Sequence, residues 1–224
     1  MAYLTPEEHA RVSAAVAAAE AHTAGEIVTI VADRSDGYSD VALAWSALVA
    51  FLILALLPFV ADPVLDAFAP LHGGWNVEWA APGIFAVAAA IGIVTFLLVL
   101  ALQLSPAIRF ALVPGRIKTD RAEDRAIDLF KVGAERRTQG RTGILIYLSM
   151  REHRAEIVAD EAITALVPPE TWGEAMAALL AELKQGRIAD GMIAAIARVG
   201  VVLAEHFPRA DDDRNELPDR LIEL

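Results

Sequence analysis

The sequence predicts an α/β fold: a small mixed sheet, made of a parallel pair plus an antiparallel strand, covered by helices and interrupted by a two-helix transmembrane hairpin. Three observations lead there. Residues 41–60 and 84–104 are two uncharged stretches of about 20 residues, long enough at ~1.5 Å per residue for a ~30 Å hydrocarbon core. Short β-branched runs stand at 26–32, 143–148 and 155–159. Helical patterns flank those runs on both sides of the apolar pair.

In chain order, Thr5, Pro6 and Glu8 form a capping box with proline at the first helical position, which predicts a helix from Pro6 to about Ala21. Thr23-Ala24-Gly25 ends it, the strand 26–32 follows, and Asp36-Gly37 marks a turn before the first apolar stretch. Pro58 falls in the last turn of that stretch. Trp45, Trp75 and Trp79 suit interfacial anchors, or, for Trp45, packing between helices. The connection 61–83 holds no Lys or Arg, whereas Arg109, Arg116, Lys118, Arg121 and Arg125 follow the second stretch and Arg11 and Arg34 precede the first. Cations mark the cytoplasmic side, so the sequence predicts a multi-pass protein of the plasma membrane with both termini cytoplasmic.

Pro106 and Pro114-Gly115 break the next segment into a polar, basic link, and 120–137 reads as a helix. The strands at 143–148 and 155–159 pair through the turn 149–154 as a hairpin. Two helices follow, 171–185 closed by Gly186 and 190–206, and then an irregular acidic tail, 208–224, with Asp211–Asp213 as a solvated run. A strand-to-strand connection through helices makes 26–32 and 143–148 parallel neighbours. The expected domains are 1–40 and 105–207 as two parts of one α/β domain, 41–104 as the hairpin between them, and 208–224 as the tail.

Composition narrows the function. The 224 residues are 56% hydrophobic with mean hydropathy +0.45, high for a chain wholly in water. A net charge of −11 lacks the basic face that phosphates require, so no nucleic-acid partner is expected. With 0 cysteines there is neither a disulfide nor a thiol site, and no basic, apolar leader precedes residue 41, so targeting falls to the first span. A lipid bilayer is the implied partner.

The second half, Gly140-Arg-Thr-Gly-Ile-Leu-Ile-Tyr-Leu-Ser149, Glu152 to Asp160, Trp172 with Leu179, and Gln185 to Gly191 before an apolar helix, resembles the TPM domain family. Asn215 to Glu223 is similar to the ending of a bacterial membrane branch that carries two spans inside the domain. The resemblance implies the α/β fold and carries a phosphatase label. Members have an Asp-Asn-Gly turn before the second strand and a glycine-rich turn after the third, in a region linked with calcium. Here Arg141-Thr142-Gly143 and Asp160-Glu161 stand there, and this departure from the pattern points to a site with base and acid exchanged and no metal or other cofactor, calcium being the alternative.

Two candidate sites result. At one end of the sheet Glu26, Arg141, Asp160 and Glu161 form a binding site in which Arg141 pairs with Asp160 or Glu161, or else an exposed ion pair without a role. At the other end lie Asp33, Arg34, Ser149, Glu152 and His153. His beside a hydroxyl and carboxylates suits acid-base or phosphoryl chemistry, with Asp33, Ser149 and His153 as candidate catalytic residues, or these are solvated loop residues. The functional expectation is a membrane-tethered protein-binding or assembly module engaging a membrane or cytoplasmic protein, with self-association into a homo-oligomer also open. The alternative is an acid phosphatase-like phosphomonoester hydrolase.

Overall fold

The computed structural model describes residues 3–72, 78–133, 142–209 and 216–224. Arg141, Trp75 and Asp211–Asp213 lie outside these residues, as does the stretch 134–137 of the expected helix. The elements are α1 (Pro6–Glu20), β1 (Glu26–Ala32), α2 (Ser39–Leu56), α3 (Ala61–Phe68), α4 (Ala81–Leu102), α5 (Pro106–Leu112), α6 (Gly115–Gly133), β2 (Gly143–Ser149), β3 (Arg154–Ala159), α7 (Glu161–Thr164), α8 (Trp172–Leu183), α9 (Ile188–His206) and β4 (Ile222–Glu223). They form two compact units, residues 37–114 and the remainder.

The larger unit is a four-stranded sheet ordered β3-β2-β1-β4. β1 and β2 run parallel with Glu26 opposite Gly143 and Ala32 opposite Ser149, and β3 returns antiparallel with Ile144 opposite Ala159. This is the mixed sheet the sequence predicts. Every residue of β1 and β2 is buried, because helices or the chain ends cover both faces. On one face Ile27, Val31, Ile144 and Ile146 meet Val12 and Val16 of α1 and Leu179, Ile196 and Leu203 of α8 and α9. On the other, Val28, Ile30, Leu145 and Tyr147 pack with Ala126 and Phe130 of α6. Alternation of side chains along the strands divides the two layers. The Thr5 capping box starts α1 as expected, with Glu8 N at 3.2 Å from Thr5 Oγ1 and Thr5 N at 2.8 Å from Glu8 Oε2.

The tail is not irregular throughout. Ile222–Glu223 adds β4 parallel to β1, with Ile30 opposite Ile222, and the Leu224 N–H donates to Val31 O at 2.9 Å. Its signal is short in sequence because long-range bonds make the strand: Leu221 joins one core layer and Leu217 the other, so the segment 216–224 straps the open edge of β1. The sheet thus has four strands where three were expected.

In the smaller unit α2 packs against α4. Ala42, Ser46 and Ala50, four apart, form the buried stripe of α2, and a Cβ on Gly92 of α4 would meet Leu54 at 3.0 Å. Small residues let the two backbones approach. α2 stops at Leu56 and continues as a 3-10 turn, Leu57–Val60, rather than as helix to residue 60, because Pro58 has no N–H to give to the preceding turn. The expected basic link after residue 104 also holds a helix, α5: Pro106 sits in its first turn, where a missing N–H costs nothing.

The pair is inside-out. Phe51 is 69% exposed and Phe85 73%, while Ser46 and Gln103 are 0% and 1% exposed. The Gln103 amide donates to Ala42 O (3.0 Å), Ser46 Oγ (3.2 Å) and Val99 O (3.1 Å). Arg109 of α5 then donates to Gln103 O (2.9 Å) and Gly37 O (3.1 Å), and the Trp45 indole donates to Leu112 O (3.1 Å). Trp45 therefore ties α5 to the helix pair.

Candidate functional site

The carboxyl ends of β1 and β2 gather the polar residues that sequence reading singles out as catalytic candidates, yet each has a separate bonding set. Asp33 accepts from the Tyr3 hydroxyl at 2.5 Å and from Arg151 Nε at 3.0 and 2.8 Å. The Tyr3 bond first, then Arg151, holds its carboxyl below the usual carboxylate range, while burial and Asp33 push the Tyr3 phenol up. Ser149, fully buried, donates to the carboxylate of Glu152. Glu152, also buried, accepts the Ser35 N–H at 2.9 Å, and Ser35 Oγ lies 3.0 Å from Tyr147 Oη. Burial raises the Tyr147 phenol.

His153 stands apart. Its backbone is left-handed (φ 52°), and its exposed ring makes no hydrogen bond among the described residues. A nucleophile needs its base within hydrogen-bond reach, and no bond joins Asp33, Ser149 and His153 to one another. Ser149 and His153 do share the wall of a cavity of about 320 Å³. The Ser149-x-x-Glu152 spacing was legible in the chain; Tyr3, Ser35, Tyr147 and Arg151 had no local signal, since they meet only when distant segments fold together.

At the amino ends of the same strands the acids are spent on backbone. Glu26, 5% exposed, accepts the Glu216 and Leu217 N–H groups, each at 3.1 Å, and so fastens the terminal strap. Asp160 caps the sheet, accepting from Gly143 N at 3.2 Å while its own N–H donates to Gly143 O at 2.9 Å. Glu161 begins α7. The proposed partner of these acids, Arg141, lies outside the described residues. Among the described residues no three His, Asp or Glu side chains group in a way that would hold a metal ion.

Glu20, at the end of α1, was missed. It is 7% exposed, one oxygen accepts the Ile27 N–H at 2.7 Å, and Oε2 has no hydrogen-bond partner among the described residues. Its carboxyl thereby takes the place of a neighbouring strand along the part of β1 that β4 does not reach. Burial pushes its pKa up to about 8; the Ile27 bond opposes the shift, and Glu26 and Asp219 add to it.

Comparison with known proteins agrees with this architecture. The family model described as TPM domain matches residues 93–202. Among solved structures, the NMR structure of BA42 protein from the psychrophilic bacterium Bizionia argentinensis superposes with a TM-score of 0.57 at 19% identity, covering 100% of this chain and 97% of that one. Likeness at that identity speaks for the fold alone. No curated protein matches the sequence. The family match spans β2, β3, α8 and most of α9, two of the four strands and part of one helical layer here, so residues 93–202 are similar to the TPM domain family.

Proposed function

We propose that this chain is a TPM domain held at a bilayer by α2 and α4 and that it acts as a protein-binding module on the cytoplasmic face. The observation that carries the reading is the inside-out helix pair. Ala42, Ser46 and Ala50 are the buried residues of α2 and Val87 and Gly92 those of α4, whereas the core helix of a water-soluble protein hides its apolar side. Hydrocarbon is the solvent that suits Phe51, Leu98 and Phe85 outside with Ser46 and Gln103 inside. The cation asymmetry supports the orientation: Arg109, Arg116, Lys118, Arg121 and Arg125 follow the pair, and its connection has none.

A binding role is favoured over hydrolysis because the hydroxyl and carboxylates at the strand ends are engaged in holding loops. A photo-crosslinking residue placed at exposed positions of the larger unit in living cells tests it. Discrete adducts with another protein, or with a second copy of the chain, are expected; their absence at every position overturns the reading. Release of phosphate from a phosphomonoester by the purified chain, lost in His153→Ala, would favour the hydrolase instead.

A further inference from the structure

We infer that α5 lies in the cytoplasmic leaflet as an interfacial helix and that, with the cations next to it in the chain, it selects anionic phospholipid. The inference rests on the reading of α2 and α4 as spans and names the lipid that receives the chain where it leaves them.

Only one side of α5 is covered by protein. Phe110 and Val113 are buried, the Phe110 ring standing edge-on to Tyr38 with 5.4 Å between centroids. The bonds of Arg109 to Gln103 O and Gly37 O and of Trp45 to Leu112 O fix the helix on that side. Ile108 and Leu112, four apart and so on one face, are exposed, as is Leu104 just before the helix. They follow the exposed Leu98 and Leu102 of α4 with no charged residue between. The apolar surface that suits hydrocarbon on α4 thus continues past the end of the span.

Charge decides which lipid. The chain has 30 Asp and Glu residues and a net charge of −11, yet none of those acids lies between Glu78 and Asp120. Arg109, Arg116 and Lys118 do lie there, all within residues 109–118. Among the described residues none of the three is in an ion pair, and both acceptors of Arg109 are uncharged carbonyls. Cations without acids, placed directly after a span, are drawn to the negative surface of the cytoplasmic leaflet. A short amphipathic helix beside them settles where headgroups meet acyl chains, with its apolar face down. Trp45 is of the residue type that concentrates at that depth.

The test uses the full chain with one fluorophore, at Ile108→Cys or at Leu98→Cys, since no native cysteine competes. Each protein is placed in phosphatidylcholine nanodiscs in which a minor fraction of the lipid carries a nitroxide on an upper acyl carbon. The labelled lipid is phosphatidylglycerol in one sample and phosphatidylcholine in the other. Quenching is expected at both positions, and at position 108 a preference for labelled phosphatidylglycerol of roughly fivefold or more at low salt, the effect of a single cation near the surface. Adding Arg116→Gln and Lys118→Gln should remove most of that preference and leave quenching at position 98 by labelled phosphatidylcholine unchanged. Quenching at 98 without quenching at 108 would overturn the inference and leave the spans standing, whereas quenching at neither would remove both. Equal quenching at 108 by the two lipids, or a preference that ignores the double substitution, would also overturn it.

Discussion

Single carboxylates do most of the fastening in this molecule, and two of them differ in a way that can be measured. Glu20 is neutral when folded up to about pH 8 and would ionise near its ordinary value of 4.5 when unfolded. Folding therefore takes up a proton between those values, so the stability Glu20 contributes is complete below about pH 4.5 and declines as the pH rises to about 8, by up to ~1.4 kcal/mol per unit. Thermal melts of Glu20→Gln across that range should lose this slope while keeping the acceptor for Ile27 N–H. Glu26 instead has both oxygens engaged, each accepting one N–H group of the strap. Glu26→Ala should cost about 1–3 kcal/mol and expose the segment after residue 215 to carboxypeptidase. At this scale the sequence named Glu26, Asp33, Asp160 and Ser149 but not their tasks. A side chain's partner can lie 191 residues away, as in the bond from Leu217 to Glu26, and no local pattern encodes that.

Elements were legible where a periodic pattern or a cap coincided with the structure. The Thr5 box, the strands β1 to β3 and the helices α8 and α9 are of this kind. β4 and α5 were not, one because its two residues are a strand only beside Val31, the other because Pro106 reads as a breaker when it is a first-turn residue. Between elements, α1 and α9 meet so closely that a Cβ on Gly200 would lie 2.8 Å from the Ala19 Cβ. Gly200→Leu should separate the helices and lower stability by about 1–3 kcal/mol, read as a drop in Tm. In the apolar unit, Gln103→Ala removes the two donations, to Ala42 O and Ser46 Oγ, that join the end of α4 to α2. Its melting temperature in detergent should fall, by an amount on the order of 1 kcal/mol, the usual worth of polar contacts between apolar helices.

For the molecule as a whole, the feature that organises everything else is an insertion. Residues 37–114 separate β1 from β2, yet the two strands still lie side by side in full register. A chain can carry so large an interruption because loop-closure entropy grows only slowly with length, and because the strands' buried faces repay their pairing. The insertion itself was plain in the sequence, since about 20 consecutive uncharged residues are rare in a water-soluble fold. The cavity walled in part by Ser149 and His153 was not, because α8 and the β2–β3 turn contribute to it from far apart in the chain.

The central claim is that lipid surrounds α2 and α4 and that the larger unit faces the cytoplasm. The chain has 0 cysteines, so Glu78→Cys and Glu170→Cys each give a single reporter, one in the connection and one in the larger unit. Membrane-impermeant maleimide applied to intact spheroplasts of a bacterial host should label position 78 and should reach position 170 only after lysis. Labelling of position 170 in intact spheroplasts, or protection of both positions with the chain recovered in the aqueous fraction after lysis, would contradict the account.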